Sequence, residues 1–354
     1  MDVKILDKNF AVDLKIDKTG LEFYSVDEEP FRLYGIERMG DRYYRMPTSV
    51  AEAVSPGVAE LNAHTAGGRV RFVTDSKRIA IIAKLCSVEL HPHMCLAGSS
   101  GFDIYADGVF AGGYRPAVSM PNSAYESVRD LGERRERLIT INFPLYTGVK
   151  SLYIGLDKGA ALLPAPDYKY EKPVVFYGSS ITQGGCASRP GTCYQAHISR
   201  QLDTNYINLG FSGNAKAERE MAEYIAGLEM SAFVYDYDHN TPSFEHLTET
   251  HGRMFDIIRK RNPILPIIIV TAPVAKSPIE SFNETMSKRR QIIKATYDNA
   301  MAAKDKNVYI IYGNEFFDEV GNEFSVDHCH PTDLGFYFMA KKMLPVISEA
   351  LGKI

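Results

Sequence analysis

The chain has 354 residues, of which 45% are hydrophobic and 24% are charged, and this near-average composition excludes a wholly disordered, collagen-like or coiled-coil protein. Its 40 Lys and Arg residues against 44 Asp and Glu residues give a net charge of −4. The basic excess of a nucleic-acid-binding surface is missing, so we expect no nucleic-acid partner. At roughly 100 to 200 residues per domain, the length favours two domains.

The N-terminus carries charges every few residues. The stretch MDVKILDKNFAVDLKID (1–17) lacks the uninterrupted apolar segment of a secretory signal, and no later window approaches 18 apolar residues. We therefore expect a cytoplasmic protein without a membrane partner, although removal of a signal during cloning would erase this evidence. The sequence carries no signal for an oligomeric state.

The sequence has five cysteines, an odd number without the paired spacing of a zinc site. In a chain of this length the count favours reduced thiols over a disulfide framework. A bridge between Cys186 and Cys193, across a loop, is the alternative that the sequence leaves open.

Up to about residue 160 the apolar runs are short and separated by turn residues, which predicts β-strands. The connections 75–77 (Asp-Ser-Lys) and 106–108 (Ala-Asp-Gly) have the composition of hairpin turns, so we expect the strands on either side of each to be neighbours in an antiparallel sheet. We therefore predict an N-terminal β-sandwich, jelly-roll-like, over residues 1–165. The predicted strands are FRLYGI (31–36), RVRFV (69–73), RIAIIAK (78–84), FDIYA (102–106), LITINF (138–143) and SLYIGL (151–156).

The segment 158–173 combines Pro, Ala and Lys without periodicity and predicts a linker. After Pro173 strand-like runs alternate with stretches of helical length, which predicts βαβ units around a parallel sheet. Residues 166–354 should thus form a three-layer α/β domain with its ligand site at the carboxyl ends of the strands. The predicted strands are VVFY (174–177), YINLGF (206–211), AFVYDY (232–237), IIIVTAP (267–273) and VYIIYG (308–313), and the predicted helices are 215–228, 243–262 and 285–304.

The first strand of this domain leads into GSSITQGG (178–185), where Gly178 permits a tight turn and Ser180 should open a helix. A hydroxyl there lies near helix N-terminal amides, which can stabilise a developing negative charge. The alternative is that the hydroxyl residues of this segment only cap the helix, a common role for them. A phosphate-binding loop is a weaker alternative, because no Lys follows the glycines.

Polar residues and glycine also follow three later strands. Gly213 can bring a bare backbone N–H close to a ligand, and Asn240 can donate a side-chain N–H, although both residues are also ordinary in turns. After the last strand, Asp327 and His330 precede Pro331, which should start the terminal helix. Their spacing lets the carboxylate hold one imidazole nitrogen while the other nitrogen faces a substrate.

Two alternatives concern the neighbours of these residues. One alternative is a metal site, because carboxylate and imidazole side chains bind metal ions and both occur in Asp327, His328 and His330. No further metal ligand is obvious nearby in the sequence. Asp236, Asp238 and His239 lie beside Asn240 in the sequence and could line a pocket, but we expect the acids to be solvated or capping. The conjunction of Ser, Gly, Asn and Asp-x-x-His at the ends of four strands outweighs the separate alternatives.

This order of residues resembles the SGNH (GDSL-type) hydrolase superfamily, whose blocks contribute Ser, Gly, Asn and His. The resemblance covers residues 172–354 and implies a flavodoxin-like three-layer fold. It also implies a serine nucleophile with an acid and a base, and an oxyanion hole, without a metal or an organic cofactor. The implied residues are Ser180, Asp327 and His330 for catalysis, and the amides of Ser180 and Gly213 with the Asn240 side chain for the oxyanion hole.

The first block departs from the common Gly-Asp-Ser, since it has Gly178-Ser179-Ser180. The longer string around it resembles a subgroup whose N-terminal β domain carries a Gly-x-Asp-Leu-Tyr element. GFDIY (101–105) is similar to that element, with Ile in place of Leu. From the residues alone, the element is either sandwich core or part of a saccharide-binding surface, and its alternating pattern favours the core.

The resemblance implies a serine esterase that acts on a small-molecule or oligosaccharide ester. We expect a small acyl group, O-acetyl above all, on a carbohydrate. The alternatives are a lysophospholipase or thioesterase, an acyltransferase with the same residues, and a mainly saccharide-binding protein, because a shared fold does not select among them.

Overall fold

The computed structural model describes Val12 and residues 14–352, so most of the charged N-terminal stretch lies outside the described residues. By their contacts these residues form two compact units that are not contiguous in sequence, whereas the sequence pattern predicts one division after residue 165. The first unit takes the described residues up to Tyr44, Ala63–Pro166 and Ser188–Pro190. The second takes Arg45–Asn62, with helices α1 (Thr48–Val54) and α2 (Pro56–Leu61), together with Asp167–Ala187 and Gly191 onward.

The first unit is built from antiparallel strands. They are β1 (Leu21–Ser25), β2 (Arg32–Tyr34), β3 (Glu37–Met39), β4 (Arg42–Tyr44), β5 (Arg69–Thr74), β6 (Arg78–Leu85), β7 (Phe102–Ala106), β8 (Val109–Tyr114), β9 (Ala124–Asp130), β10 (Arg137–Asn142), β11 (Val149–Asp157) and β12 (Leu162–Pro164). One sheet has the order β1-β11-β6-β9, and the other has the order β12-β5-β10-β7-β8 with β2 also on β5, while β3 pairs with β4. A short helix, α3 (Leu96–Ser99), precedes β7.

Both sheets of this unit contribute to one apolar core, which confirms the predicted β-sandwich. Ile79 and Ile81 come from β6 in the first sheet, and Ile139 and Ile141 come from β10 in the second, all fully buried. These pairs are two residues apart because successive side chains of a strand point to opposite faces. Burial of their apolar surface stabilises the sandwich.

One of the two predicted hairpins is wrong. The connection 106–108 joins the paired strands β7 and β8, with Asp107 and Gly108 both at positive φ as a tight hairpin turn requires. The connection 75–77 instead carries the chain from β5 in one sheet to β6 in the other. None of its residues has a positive φ, and Ser76 is buried there, accepting a hydrogen bond from the Asp157 N–H at 2.8 Å.

The second unit holds a parallel sheet with helices, as predicted. Its strands are β13 (Tyr170–Gly178), β14 (Thr204–Gly210), β15 (Ala232–Asp236), β16 (Ile267–Val270) and β17 (Val308–Ile311). Their order is β14-β13-β15-β16-β17, the flavodoxin-like arrangement. Its helices, besides α1 and α2, are α4 (Ser180–Gln183), α5 (Tyr194–Leu202), α6 (Arg219–Ala226), α7 (Phe244–Arg261), α8 (Glu280–Ala302) and α9 (Asp333–Leu351).

The predicted linker 158–173 is more regular than its composition indicates. Its residues include β12, which pairs with β5, and the first residues of β13. Pro164 ends β12, which lies at the edge of its sheet, the position where a residue without an N–H is tolerated. Among the described residues, no helix combines the length and apolar character needed to cross a bilayer.

Candidate active site

The turn between β13 and α4 presents two adjacent serines with different roles. Ser179 is the N-cap of α4, and its Oγ accepts a hydrogen bond from the Ile181 N–H at 3.2 Å. Ser180 is the first helical residue, and its Oγ lies 2.8 Å from His330 Nε2. The capping role that the sequence left open for both serines therefore belongs to Ser179.

Two glycines let α4 sit close to the sheet. A Cβ on Gly178 would collide with the Thr182 side chain and with the Asp236 carbonyl oxygen. A Cβ on Gly210, the last residue of β14, would collide with the backbone of Gln183. Side chains at these positions would push α4 outward, so the glycines fix the position of Ser180.

The segment after β17 brings a carboxylate to the imidazole of His330. Asp327 Oδ2 lies 2.7 Å from His330 Nδ1, and Asp327 Oδ1 accepts hydrogen bonds from the backbone N–H groups of Cys329 and His330 at 3.0 and 2.7 Å. Partial burial alone would raise the pKa of Asp327, but the hydrogen bonds from His330 and Cys329 outweigh it and lower the pKa. Asp327 is thus a carboxylate at neutral pH, hydrogen-bonded to the imidazole on the side away from Ser180.

Hydrogen bonds connect the loops that carry Gly213 and Asn240 to the turn that carries Ser180. Gly213 is exposed at φ +69, and a Cβ there would meet nothing within 4 Å. Asn240 ends a 3-10 turn after β15, and its Nδ2 donates to the Phe211 carbonyl at 3.0 Å. The Phe211 N–H in turn donates to the Gly178 carbonyl at 2.9 Å. These bonds join the segments of Ser180, Gly213 and Asn240 at the carboxyl edge of the sheet.

The acids before Asn240 are buried, so the prediction that they are solvated or capping is wrong. Asp238 Oδ1 accepts from Arg289 Nε at 2.5 Å, and Arg289 also donates to the Asp238 carbonyl and the Thr241 hydroxyl. Asp238 Oδ2 accepts from the Ala272 N–H at 3.2 Å. This buried ion pair holds the turn that carries Asn240.

Sequence reasoning missed Arg289 and Arg45. Arg289 lies in α8 on the same helical face as the buried residues Ile293 and Ala300, and a charge within such a stripe is the signal that could have indicated a buried ion pair. Arg45 donates to the Gly210 carbonyl at 2.5 Å, and its guanidinium stacks 4.4 Å from the centroid of the Phe211 ring. Arg45 thereby supports the loop that leads to Gly213.

Asp236 is buried at the end of β15, and neither carboxyl oxygen has a hydrogen-bond partner among the described residues. Burial, with a smaller contribution from the Asp238 charge, raises the pKa of Asp236 well above its ordinary value. The native state therefore binds the proton more tightly than the unfolded state does. Above the ordinary carboxyl pKa, the contribution of this group to stability must fall as the pH rises towards the folded pKa.

We expect Asp236→Asn to raise the melting temperature at pH 8 more than at pH 5, because the amide needs no proton. At high pH the substitution should raise the free energy of unfolding by up to about 1.4 kcal/mol for each unit by which the pKa of Asp236 is shifted. Thermal unfolding at the two pH values measures it, with Asp318→Asn, a change at an exposed carboxyl, as the control. Equal effects of Asp236→Asn at both pH values would contradict a protonated Asp236.

The remaining alternatives concern a metal site at Asp327, His328 and His330 and a bridge between Cys186 and Cys193. Both ring nitrogens of His330 lie within hydrogen-bond distance of protein side chains, Asp327 and Ser180, which is an acid–base arrangement. His328 is exposed at φ +65. Cys186 and Cys193 both carry free thiols.

Comparisons with known proteins identify the family of the chain. The model of the GDSL-like lipase/acylhydrolase family matches residues 171–348, and a model described as the N-terminus of SGNH-hydrolase-type esterases matches residues 21–162. No curated protein matches the sequence. Among solved structures, a GDSL-like lipase candidate from Bacteroides ovatus ATCC 8483 is 30% identical with a TM-score of 0.85, and the match covers 94% of this chain and 98% of that one.

Two further structures share the fold at lower identity. A salicylyl-acyltransferase from a tetracycline biosynthetic pathway is 19% identical with a TM-score of 0.77, covering 94% of this chain and 98% of that one. A family two carbohydrate esterase from Clostridium thermocellum is 14% identical with a TM-score of 0.62, covering 92% and 99%. Because the family model spans half of the sequence and the Bacteroides protein matches almost all of it, the chain belongs to the GDSL-like lipase/acylhydrolase family.

Proposed function

We propose that the protein is a serine esterase that hydrolyses small acyl esters, O-acetyl esters above all, on carbohydrates. The observation that carries the proposal is the continuous hydrogen-bonded series from Ser180 Oγ to His330 Nε2 at 2.8 Å and from His330 Nδ1 to Asp327 Oδ2 at 2.7 Å. Such a series activates a hydroxyl as a nucleophile.

In the first half of the reaction, His330 takes the proton of Ser180 as the oxygen attacks the ester carbonyl. The amides of Ser180 and Gly213 and the side chain of Asn240 stabilise the resulting oxyanion. The tetrahedral intermediate collapses to an acyl-enzyme, and the departing alcohol takes the proton from His330. A water molecule then gives its proton to His330 and attacks the acyl group, and the carboxylic acid leaves as Ser180 recovers its proton.

We expect Asn240→Ala to lower kcat by roughly 10²–10³, about 2.7–4 kcal/mol, because an oxyanion donor acts mainly in the transition state. Steady-state kinetics on an acetyl ester measures the effect. Asn283→Ala is the control, because its side chain also donates to a backbone carbonyl, that of Ser277, at the start of α8. A defect of Asn240→Ala confined to KM would assign the residue to ground-state binding instead.

The loops near Ser180 support a small acyl group. A long acyl chain needs an apolar groove, which is worth about 0.8 kcal/mol per buried methylene. The residues after β14 and β15, SGNAKAE (212–218) and DHNTPS (238–243), are small, polar or charged. Three rings near these loops could line such a groove. Phe211 and Phe336 are fully buried and therefore unavailable, whereas Phe244 is partly exposed.

We expect kcat/KM to fall from acetyl to butyryl to octanoyl p-nitrophenyl esters. Initial rates of p-nitrophenol release measure the series, with the Ser180→Ala variant as the blank for uncatalysed hydrolysis. A rise along the series would contradict the small-acyl proposal in favour of a lipid or thioester substrate. Release of acetate from acetylated oligosaccharides, compared with acetylated small alcohols, tests the carbohydrate part.

The shared fold of the Clostridium family two carbohydrate esterase, whose structure was determined in complex with cellohexaose, supports this substrate class without selecting a sugar. The acyltransferase fold neighbour supports the alternative in which an acceptor replaces water. Free acid released at the same rate with and without added sugar acceptor would favour hydrolysis. Acyl transfer to the acceptor at the expense of free acid would favour a transferase.

A further inference from the structure

The GFDIY element (101–105) has no part in the ester chemistry proposed above. Its strand, β7, lies between β10 and β8. Phe102 and Ile104 are buried in the sandwich core, whereas Asp103 and Tyr105 alternate with them and belong to the opposite face of the strand. Asp103 is nevertheless fully buried, and a buried carboxylate needs charged or hydrogen-bonding partners.

The partner of both polar residues is Arg189. Its Nη1 lies 3.0 Å from Asp103 Oδ2 and donates to the Tyr105 hydroxyl at 2.5 Å. Its guanidinium stacks on Phe110 of β8, 3.8 Å from the ring centroid. Asn142 of β10 donates to the other Asp103 oxygen at 2.7 Å. Asp103 and Tyr105 of the element thus form a specific binding site for the Arg189 side chain.

Arg189 lies in the connection between α4 and α5, residues 184–193. By contacts, the segment Ser188–Pro190 belongs to the first unit, while the residues on both sides belong to the second. At the start of the connection, the N–H groups of its two glycines donate to the Ser180 carbonyl at 3.0 and 2.8 Å. At its end, the Thr192 hydroxyl donates to Asp333, the first residue of α9, at 2.7 Å.

We propose that Asp103 and Tyr105 hold Arg189 in a fixed position, and that Arg189 is a positioning residue for the esterase reaction. The inference rests on the proposed function, because the groups that it positions are Ser180 and His330. The connection is bonded to α4, which begins with Ser180, and to α9, which begins three residues after His330. Greater mobility of Arg189 would therefore displace both Ser180 and His330, the partners of the hydrogen bond. A displacement of such catalytic groups by about 1 Å can lower the rate about 10²-fold.

Two conservative variants test this role. Tyr105→Phe removes only the hydroxyl that binds Arg189 and keeps the ring, and Arg189→Lys keeps the charge but loses the planar guanidinium. We expect each to lower kcat about tenfold with KM changed by less than about twofold, and to speed up amide hydrogen exchange in residues 184–193. The matched control is Tyr114→Phe, which removes a buried hydroxyl bonded to the Ile79 carbonyl at 3.0 Å in the same sandwich.

The control separates positioning from simple loss of stability. Tyr114→Phe should lower the melting temperature while leaving kcat and the exchange of residues 184–193 unchanged. If Tyr105→Phe and Arg189→Lys behave like this control, the inference is overturned. A wild-type protein that releases no acid from any ester would instead contradict the proposed function, and the exchange measurement would still decide whether the element anchors Arg189.

Discussion

Ser180→Ala is expected to lower kcat for ester hydrolysis by about 10⁴–10⁶ while the protein stays folded. The acyl-enzyme needs the hydroxyl oxygen, whereas Ala is well accepted at the first turn of α4. Stopped-flow or long-time measurement of p-nitrophenol release from the acetyl ester gives the rate, and circular dichroism with a melting curve checks the fold.

The adjacent serine provides the matched control. Ser179→Ala removes the N-cap of α4, which should cost about 1 kcal/mol of stability, but it leaves the hydroxyl beside His330 in place. We expect its kcat to stay within about tenfold of the wild type, well above that of Ser180→Ala. If Ser179→Ala were the more damaging change, the assignment of the nucleophile would be wrong.

Asp327→Asn is expected to lower kcat by about 10⁴ with little loss of stability. Its Oδ1 already accepts the backbone N–H groups of Cys329 and His330, and an amide oxygen can do the same. The amide cannot, however, hold the imidazole in the tautomer that leaves Nε2 free to accept a proton, nor stabilise the imidazolium. Because hydrogen bonds keep the pKa of Asp327 below its ordinary value despite partial burial, the carboxylate should be present throughout the pH range of the assay.

Single-turnover kinetics with the acetyl ester measures this effect. The control is Glu323→Gln, which neutralises an exposed acid in the same segment and should leave kcat unchanged. A loss of less than about tenfold in Asp327→Asn would contradict the role of the carboxylate as the partner of His330.

Much of the α/β half was predictable because its signals are local. The buried strands are short apolar runs, and four of the five are followed by a residue type that a site at the carboxyl end needs, such as Asn240 after β15. The adjacent serines were also recognisable, but only the structure separates the cap from the residue beside His330. The sequence cannot make that distinction, because both serines suit the start of a helix.

The errors come from interactions between residues distant in sequence. The chain between β5 and β6 has the composition of a turn, yet the pairing of β5 with β10 and of β6 with β11 places these two strands in different sheets. Asp238 has the surroundings of a solvated loop acid, and its partner Arg289 lies 51 positions later. Arg189 and Asp103 are 86 positions apart, so no local pattern could join the GFDIY element to its arginine.

An acyl-enzyme on Ser180 can be detected by quenching the enzyme with acid during turnover of p-nitrophenyl acetate and mapping its peptides by mass spectrometry. We expect one acetyl group on the peptide that contains the 178–185 turn, placed on Ser180 by fragmentation and absent from Ser180→Ala. An acetyl group on Ser179 or another residue, or hydrolysis without any acetylated peptide, would contradict that expectation.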